Sequence, residues 1–406
     1  MTKTVEEILQ LEARASFDYL WKEANSDPDS PGYGLVRDGS GKKNRQMASI
    51  AAVGFALSGI PIAVERGWIS KAEGLERAEG TLATFLNHAE HYQGFFYHFL
   101  NIDTAEKNQP FYDCPSIIDT SLFLNGGIVV ATFFGGKCAE YFDQIYQRID
   151  WTVYYDEPAN MFYMGIQEDK GGFGHWGNYA EQLMTYILGV ASPTHPVPVE
   201  IYDGFDRLQA EYGEYQFISA VNNPLFTHQF SHAWFNFQGV LDKNGVDWFD
   251  NSVQASLAQY QYAVDNPNGF KTYSDVSWGW TACDGPNGYR AYGAPPYVTG
   301  HEIEFFNDGT IAPCAAIGSL VFTPEESKKA VEYFYHDVPG LWGTYGFLDA
   351  YNWEQDELWM ASRDIGIDKG ISLLMIENYH TGLVWDLYMQ HPIVQRGAEL
   401  LGFVKK

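Results

Sequence analysis

Cysteine is scarce in this chain and nowhere paired. Cys114, Cys138, Cys283 and Cys314 form no CxxC pair and share no short spacing with histidine. That pattern speaks against a zinc ribbon or a dense disulfide framework and leaves core packing or a free thiol as the reading. Basic residues are also few. Lys and Arg number 25 against 52 Asp and Glu, for a net charge of −27. There is no basic run, so the chain carries no electrostatic footprint for nucleic acid or an anionic membrane surface. A neutral partner fits this charge best. No apolar run reaches the roughly 18 residues a membrane span needs. The start, Met1-Thr2-Lys3-Thr4-Val5, is followed by no apolar signal segment, so a cytoplasmic chain is expected, or a periplasmic or secreted one whose signal has been removed. No P-loop, no GxGxxG after a strand and no GxSxG elbow occurs, which removes the common nucleotide-binding and serine-hydrolase readings.

Aromatic residues, by contrast, are abundant. The 406 residues include 27 Tyr, 27 Phe and 12 Trp, together with 40 Gly. Aromatic rings fill cores well. They also stack on the apolar faces of sugars while a polar tip reaches a hydroxyl.

Helix signals recur along the whole length. Thr4-x-x-Glu7 and Ser70-x-x-Glu73 are capping boxes that open amphipathic runs to Trp21 and to about His88. Thr323-Pro324-Glu325-Glu326 opens another run to about His336, with Pro at the first helical position. The segments Gln46–Val64, Ile117–Phe133, Tyr179–Val190, Ala312–Phe322 and Ile367–Asn378 are apolar on nearly every side, and a helix of that kind must be buried on every side. Lys137–Ile149, Val197–Glu211, Asp247–Asp265 and Thr381–Met389 read as amphipathic helices between them. Buried and half-buried helices thus alternate, as an inner and an outer ring require. The expected fold is all-α: a single domain over residues 1–406 built as an (α/α)6 barrel. Gly94–Asn101 and Met161–Ile166 read as small β-hairpins on the loops, and the longest loop runs from Asn266 to about Asp308.

Carboxyls in apolar surroundings are candidates for acid–base chemistry, because burial raises a carboxylic acid's pKa towards neutrality. Asp119, Glu181, Asp368 and Glu377 have such settings. Each also has a plain alternative as a helix cap or an ion-pair partner, and Asp119 and Asp368 lie near expected helix starts, where the dipole favours an acid. His228 and His232 stand at i, i+4, a spacing that suits a metal, but the Glu of an HExxH motif is missing. Sugar-hydroxyl bonding or a buried network is the better reading.

Several phrases carry a family resemblance. They include Ala48-Ser49-Ile50-Ala51-Ala52-Val53-Gly54-Phe55, Gly94-Phe95-Phe96-Tyr97-His98-Phe99, Leu188-Gly189-Val190-Ala191-Ser192-Pro193-Thr194-His195-Pro196, Asp308-Gly309-Thr310-Ile311-Ala312-Pro313 and Ile367-Asp368-Lys369-Gly370. In this order they resemble the bacterial glucoamylase-like glycoside hydrolase family that contains the endo-β-1,2-glucanases. The resemblance implies an (α/α)6 barrel with small hairpins and long loops over a cleft. It implies cleavage of β-1,2-glucan or its oligosaccharides with inversion at the anomeric carbon; it does not imply a metal, and no cofactor is expected. On the matching segments it places Glu181 as general acid and Asp368 as general base. Asp119, His228, Gln229, Trp278, Trp280 and Asp284 are then the candidates for holding sugar rings. The alternatives are an exo-acting hydrolase that releases sophorose, a transglycosylase on the same barrel, and a glycan-binding protein without catalysis.

Overall fold

The structure is a computed structural model that describes residues 2–41, 45–108, 114–220, 222–293, 297–298 and 306–406. Part of the expected Asn266–Asp308 loop lies outside the described residues.

Six helices form an inner ring: Ile50–Glu65, Ile117–Phe134, Leu183–Ala191, Phe226–Trp234, Pro313–Gly318 and Gly366–His380. Five of them fall in the segments that are apolar on nearly every side; the sixth, Phe226–Trp234, carries His, Gln and Ser among its aromatics, and nearly all side chains of the six are buried. Ile50–Glu65 packs most extensively on Ile117–Phe134 and also touches Gly366–His380, which continues round to Pro313–Gly318. Between Leu183–Ala191 and Phe226–Trp234 the ring is stitched by Ser231, whose hydroxyl accepts from Met184 N at 3.2 Å and donates to Glu181 O at 2.5 Å. Ile117–Phe134 is long and apolar enough to span a membrane by length and composition, but 72% of it is buried inside this ring.

The tightest contact in the ring depends on glycine. A Cβ on Gly54 would lie 2.2 Å from the Leu122 carbonyl oxygen, and one on Gly126 would lie 2.1 Å from that of Gly54. Two helices approach backbone to backbone here, which only residues without side chains permit.

The outer ring alternates with the inner one. It consists of Val5–Lys22, Lys71–Asn87, Gly136–Gln147, Trp248–Asp265 and Pro324–His336, with the short 3-10 turn Val199–Asp203 in the fourth outer place. Both capping boxes form, at Thr4 with Glu7 and at Ser70 with Glu73. Thr323 is an N-cap by position only; its hydroxyl bonds Ser319 O and Ser327 Oγ instead of the helix N–H groups.

The expected helix over Val197–Glu211 does not form. Pro198 sits at the N-cap of the 3-10 turn, and Gly204 ends it where a Cβ would lie 1.8 Å from Asn160 O. The chain then makes strand Gln209–Tyr212, paired antiparallel with Tyr215–Ile218. Helix Pro392–Leu400 packs on Leu183–Ala191, the inner helix that leads into this stretch, and so gives it much of its cover. Short hairpins form at the expected strand segments, Phe95–Phe96 with His91–Tyr92 and Met161–Gln167 with Gly171–His175, while Phe99–Asn101 pairs antiparallel with the distant strand Met47–Ser49. Most buried apolar residues from Ile8 to Leu401 form one contiguous cluster, with a small second one of Ala210, Phe217, Ala255 and Ala258.

Candidate active site

Because outer and inner helices alternate, all inner helices point the same way, and their N-termini collect at one end of the barrel. A cleft of about 450 Å³ opens there. Its lining comes largely from those N-termini: Ser49 and Ala51, Ile118 and Asp119, Glu181, Phe226, and Ile367 with Asp368. Helix N-termini carry partial positive charge and unpaired N–H groups, so carboxylates and hydroxyl-bearing ligands are at home there.

Asp119 lies in the first turn of Ile117–Phe134. The Ser116 hydroxyl donates to its Oδ2 at 2.5 Å, and His98 Nε2 stands 3.6 Å from its Oδ1. His98 stacks on Phe99 at a centroid distance of 3.7 Å, and both rings line the cleft.

Glu181 sits in the turn just before Leu183–Ala191. Burial pushes its carboxyl up to about 7; a bond from its own backbone N–H opposes this, and the charge of Asp119 adds to it. Asp368 lies in the first turn of Gly366–His380. Burial pushes it up to about 6, while hydrogen bonds from Asp349 and Cys314 and the charge of Lys369 pull it back. One cleft therefore holds a carboxyl that keeps its proton close to neutral pH and another that loses it more readily. Such a pair is able to deliver a proton to one atom and take one from another.

Among the described residues, Arg363 is the only Lys or Arg that lines the cleft. Its Nε and Nη2 donate to the two oxygens of Asp284 at 2.8 and 3.0 Å, and Nη1 donates to Asp38 Oδ2 at 3.5 Å. Asp284 starts the tip of the hairpin formed by Ala282–Cys283 and Arg290–Ala291. The fork thus fixes the hairpin that carries Tyr289, a ring that is 50% exposed and lines the cleft.

Three of the residues proposed from the sequence meet at the cleft: Asp119, Glu181 and Asp368. The other substrate-holding candidates are corrected. His228, with no exposure, bonds Asn223 Oδ1 through Nε2 at 2.8 Å, and burial holds it neutral, down at about 3. Gln229 is spent inside the wall, donating to Ala315 O at 2.8 Å and Ser319 Oγ at 2.9 Å. Trp278 and Trp280 are fully buried and bond Glu326 O and the Tyr273 hydroxyl. Asp284 stands behind Arg363 rather than in the cleft. Glu377 lies towards the far end of its helix, where Arg66 donates to it at 2.7 and 3.0 Å. Asp38, His98, Phe99, Tyr289 and Arg363 were missed. They come from loops and hairpins whose placement no local pattern reveals. Only an unpaired aromatic at a Gly-flanked loop tip, Tyr289, left a readable signal.

Parallel inner helices, their N-termini gathered round a carboxylate-lined cleft, define the (α/α)6 toroid. The Glycoamylase family model matches residues 174–392, more than half of the chain. The chain belongs to that family. It is 26% identical to an exo-β-1,2-glucooligosaccharide sophorohydrolase (non-reducing end) of Parabacteroides distasonis, over 99% of this chain and 58% of that protein, so it spans less than two thirds of the curated relative's length. The endo-β-1,2-glucanase of Chitinophaga pinensis, solved with sophorotriose and glucose, superposes with a TM-score of 0.87 at 28% identity, covering 99% of both chains. An endo-β-1,2-glucanase of Talaromyces funiculosus shares the fold alone, at 11% identity and a TM-score of 0.67 over 98% of this chain and 92% of its own.

Proposed function

We propose that this protein hydrolyses β-1,2-glucan or its oligosaccharides, in the manner of an endo-β-1,2-glucanase. Glu181 is the general acid and Asp368 the general base. The observation that carries the reading is the enclosed carboxyl pair at the inner-helix N-termini, with Glu181 the more reluctant to ionise, in a chain whose relatives act on β-1,2-linked glucose.

Glu181 donates its proton to the glycosidic oxygen as the C1–O bond breaks. Asp368 takes a proton from the water whose oxygen attacks C1 on the opposite face, so the anomeric configuration inverts. Asp119 adds its charge to burial in keeping Glu181 protonated, and offers an oxygen to sugar hydroxyls. The rings of Tyr289, Phe226 and Phe99 give the cleft apolar faces for glucose units, and binding there orients the scissile bond. With a net charge of −27 and the cleft guanidinium of Arg363 already tied to carboxylates, the protein repels anionic polysaccharides and suits a neutral glucan.

The test is incubation with linear β-1,2-glucan, with products resolved by chromatography and the first-formed anomer read by proton NMR. A ladder of short oligosaccharides with α configuration at the new reducing end is expected. A single disaccharide would replace the endo reading with the exo reading that the sophorohydrolase relative favours. Products longer than the starting oligosaccharide would mean transglycosylation. Binding without turnover, unchanged in Glu181→Gln, would refute the catalytic reading.

A further inference from the structure

Asp349 lies outside every motif read from the sequence and does not line the cleft. It is 4% exposed and Asp368 is 5% exposed, and both border a water-sized space of about 10 Å³ behind the cleft floor. Asp349 Oδ2 accepts the backbone N–H of Asp284 at 2.7 Å. Its other oxygen, Oδ1, is buried and receives no N–H or O–H from the described residues; the same holds for Asp368 Oδ2. Two buried carboxyls of this kind, each with one oxygen lacking a donor, sit together stably only if one proton lies between them. Two bare carboxylates at that depth would repel each other strongly, because the buried surroundings screen charge far less than bulk water does.

We propose that Asp349 is the positioning residue of the base: it keeps its proton at neutral pH and donates it as a hydrogen bond to Asp368, so that the pair carries one negative charge, held on the residue that faces the cleft. The surroundings favour this division. Burial and the charge of Asp368 both drive Asp349 well above the ordinary carboxylate range. Asp368 has the milder setting, because Cys314 bonds it from the Pro313–Gly318 helix and Lys369 on its own helix adds positive charge, which it shares with Glu12 and Asp364, while Asp38 across the cleft opposes them. Burial keeps Cys314 a thiol, and therefore a donor. From the hairpin, Asp284 offers Asp349 an N–H but also a like charge, which Arg363 partly neutralises. Cys283 on the same hairpin is pushed up by burial and by the pair's negative charge, and that charge also pushes up the Tyr289 phenol, so both stay neutral.

The reaction takes no proton from Asp349. Asp368 accepts the water's proton and returns it to solvent after product leaves, while Asp349 holds the carboxylate in the plane where its other oxygen meets that water. This inference rests on the proposed role of Asp368, but its first readout does not depend on turnover.

The experiment compares the wild-type protein with Asp349→Asn and Asp349→Leu. In infrared spectra at about pH 8, above the range where Glu181 ionises, the wild type should show the C=O stretch of a buried protonated carboxyl. Both variants should lose that band, and Glu181→Gln should keep it. Asn is able both to donate to Asp368 and to accept from Asp284 N–H, whereas Leu does neither. On β-1,2-glucan, Asp349→Leu should lower kcat by about 10²-fold with KM little changed, and the acid limb of its pH profile should move to higher pH. Asp349→Asn should recover most of that loss and leave the acid limb in place. Far-UV circular dichroism and melting curves check that both variants fold. Absence of the band from the wild type would overturn the proposal whatever the substrate. So would equal damage from Asn and Leu, or an acid limb that Leu leaves unmoved.

Discussion

Asp119 and Glu181 stand at the N-termini of neighbouring inner helices, and the charge of Asp119 adds to burial in holding the Glu181 proton in place. Burial is the larger cause. Replacing Asp119 by Asn should therefore move the alkaline limb of the kcat/KM profile towards acid by less than about one unit. Glu181 should remain above the ordinary glutamic acid range. A shift all the way to that range would make Asp119, not burial, the dominant influence.

The two cleft carboxyls set a bell-shaped pH dependence. In the proposed mechanism, activity requires Asp368 ionised and Glu181 protonated. It should fall below about 6 as Asp368 takes up a proton, and above about 7 as Glu181 loses one. The maximum lies between these values. Initial rates at low substrate across the range check it, and a rate still rising at about pH 8 would reverse the assignment.

Glu181→Gln should cost a factor of about 10² to 10⁴ in kcat and should stabilise the fold at neutral pH. The folded-state pKa of Glu181 is raised, so the folded chain binds its proton more tightly than the unfolded chain does. The resulting cost is absent at acid pH and grows as pH rises from the ordinary glutamic acid value of 4.5 to about 7. The variant's advantage in denaturation midpoint should open over that window and level off above it, on the order of 1–3 kcal/mol. A pH-independent difference would contradict the shift.

Arg363 neutralises two part-buried carboxylates, Asp284 and Asp38. Arg363→Met strands both and should lower stability by up to about 3–5 kcal/mol in a urea titration. It should also raise KM, because the Tyr289 hairpin loses its anchor. Arg363→Lys keeps the charge but not the two-pronged fork and should fall between. An Arg363→Met variant as stable as the wild type would show that the hairpin needs no such tie.

Gly54→Ala probes the closest helix contact. Its Cβ meets a backbone oxygen that no rotamer change relieves, so the helices must separate. A loss of about 1–3 kcal/mol or more is expected in thermal or chemical unfolding. A neutral substitution would mean that the inner ring yields easily.

Much of the barrel was legible because helices announce themselves locally. Ser70 and Glu73 cap a helix whatever surrounds them, and a segment such as Ile117–Phe134, apolar on every side, has to be inside. Val197–Glu211 misled because its apolar spacing suits a helix, while the backbone at Pro198 and the packing of Gly204 against Asn160 O forbid one. The aromatic residues were the weakest guide. Trp278 and Trp280 sit in a Gly-punctuated loop and look made for stacking on sugar, yet they are fully buried, while Tyr289 a few residues on reaches the cleft.

By itself, the sequence determined the alternation of buried and half-buried helices, the membership suggested by its motifs, and the settings of Asp119, Glu181 and Asp368, all of which line the cleft. These depend on neighbours within a turn or two of chain. Only the tertiary structure decided which polar residues share a space. It placed Asp349 behind Asp368 and set Arg363 between Asp284 and Asp38. It also closed His228 and Gln229 into the wall. The physical reason is that burial and charge pairing are properties of surroundings assembled from distant segments, and a side chain suited equally to core or cleft carries no local mark of which it will meet.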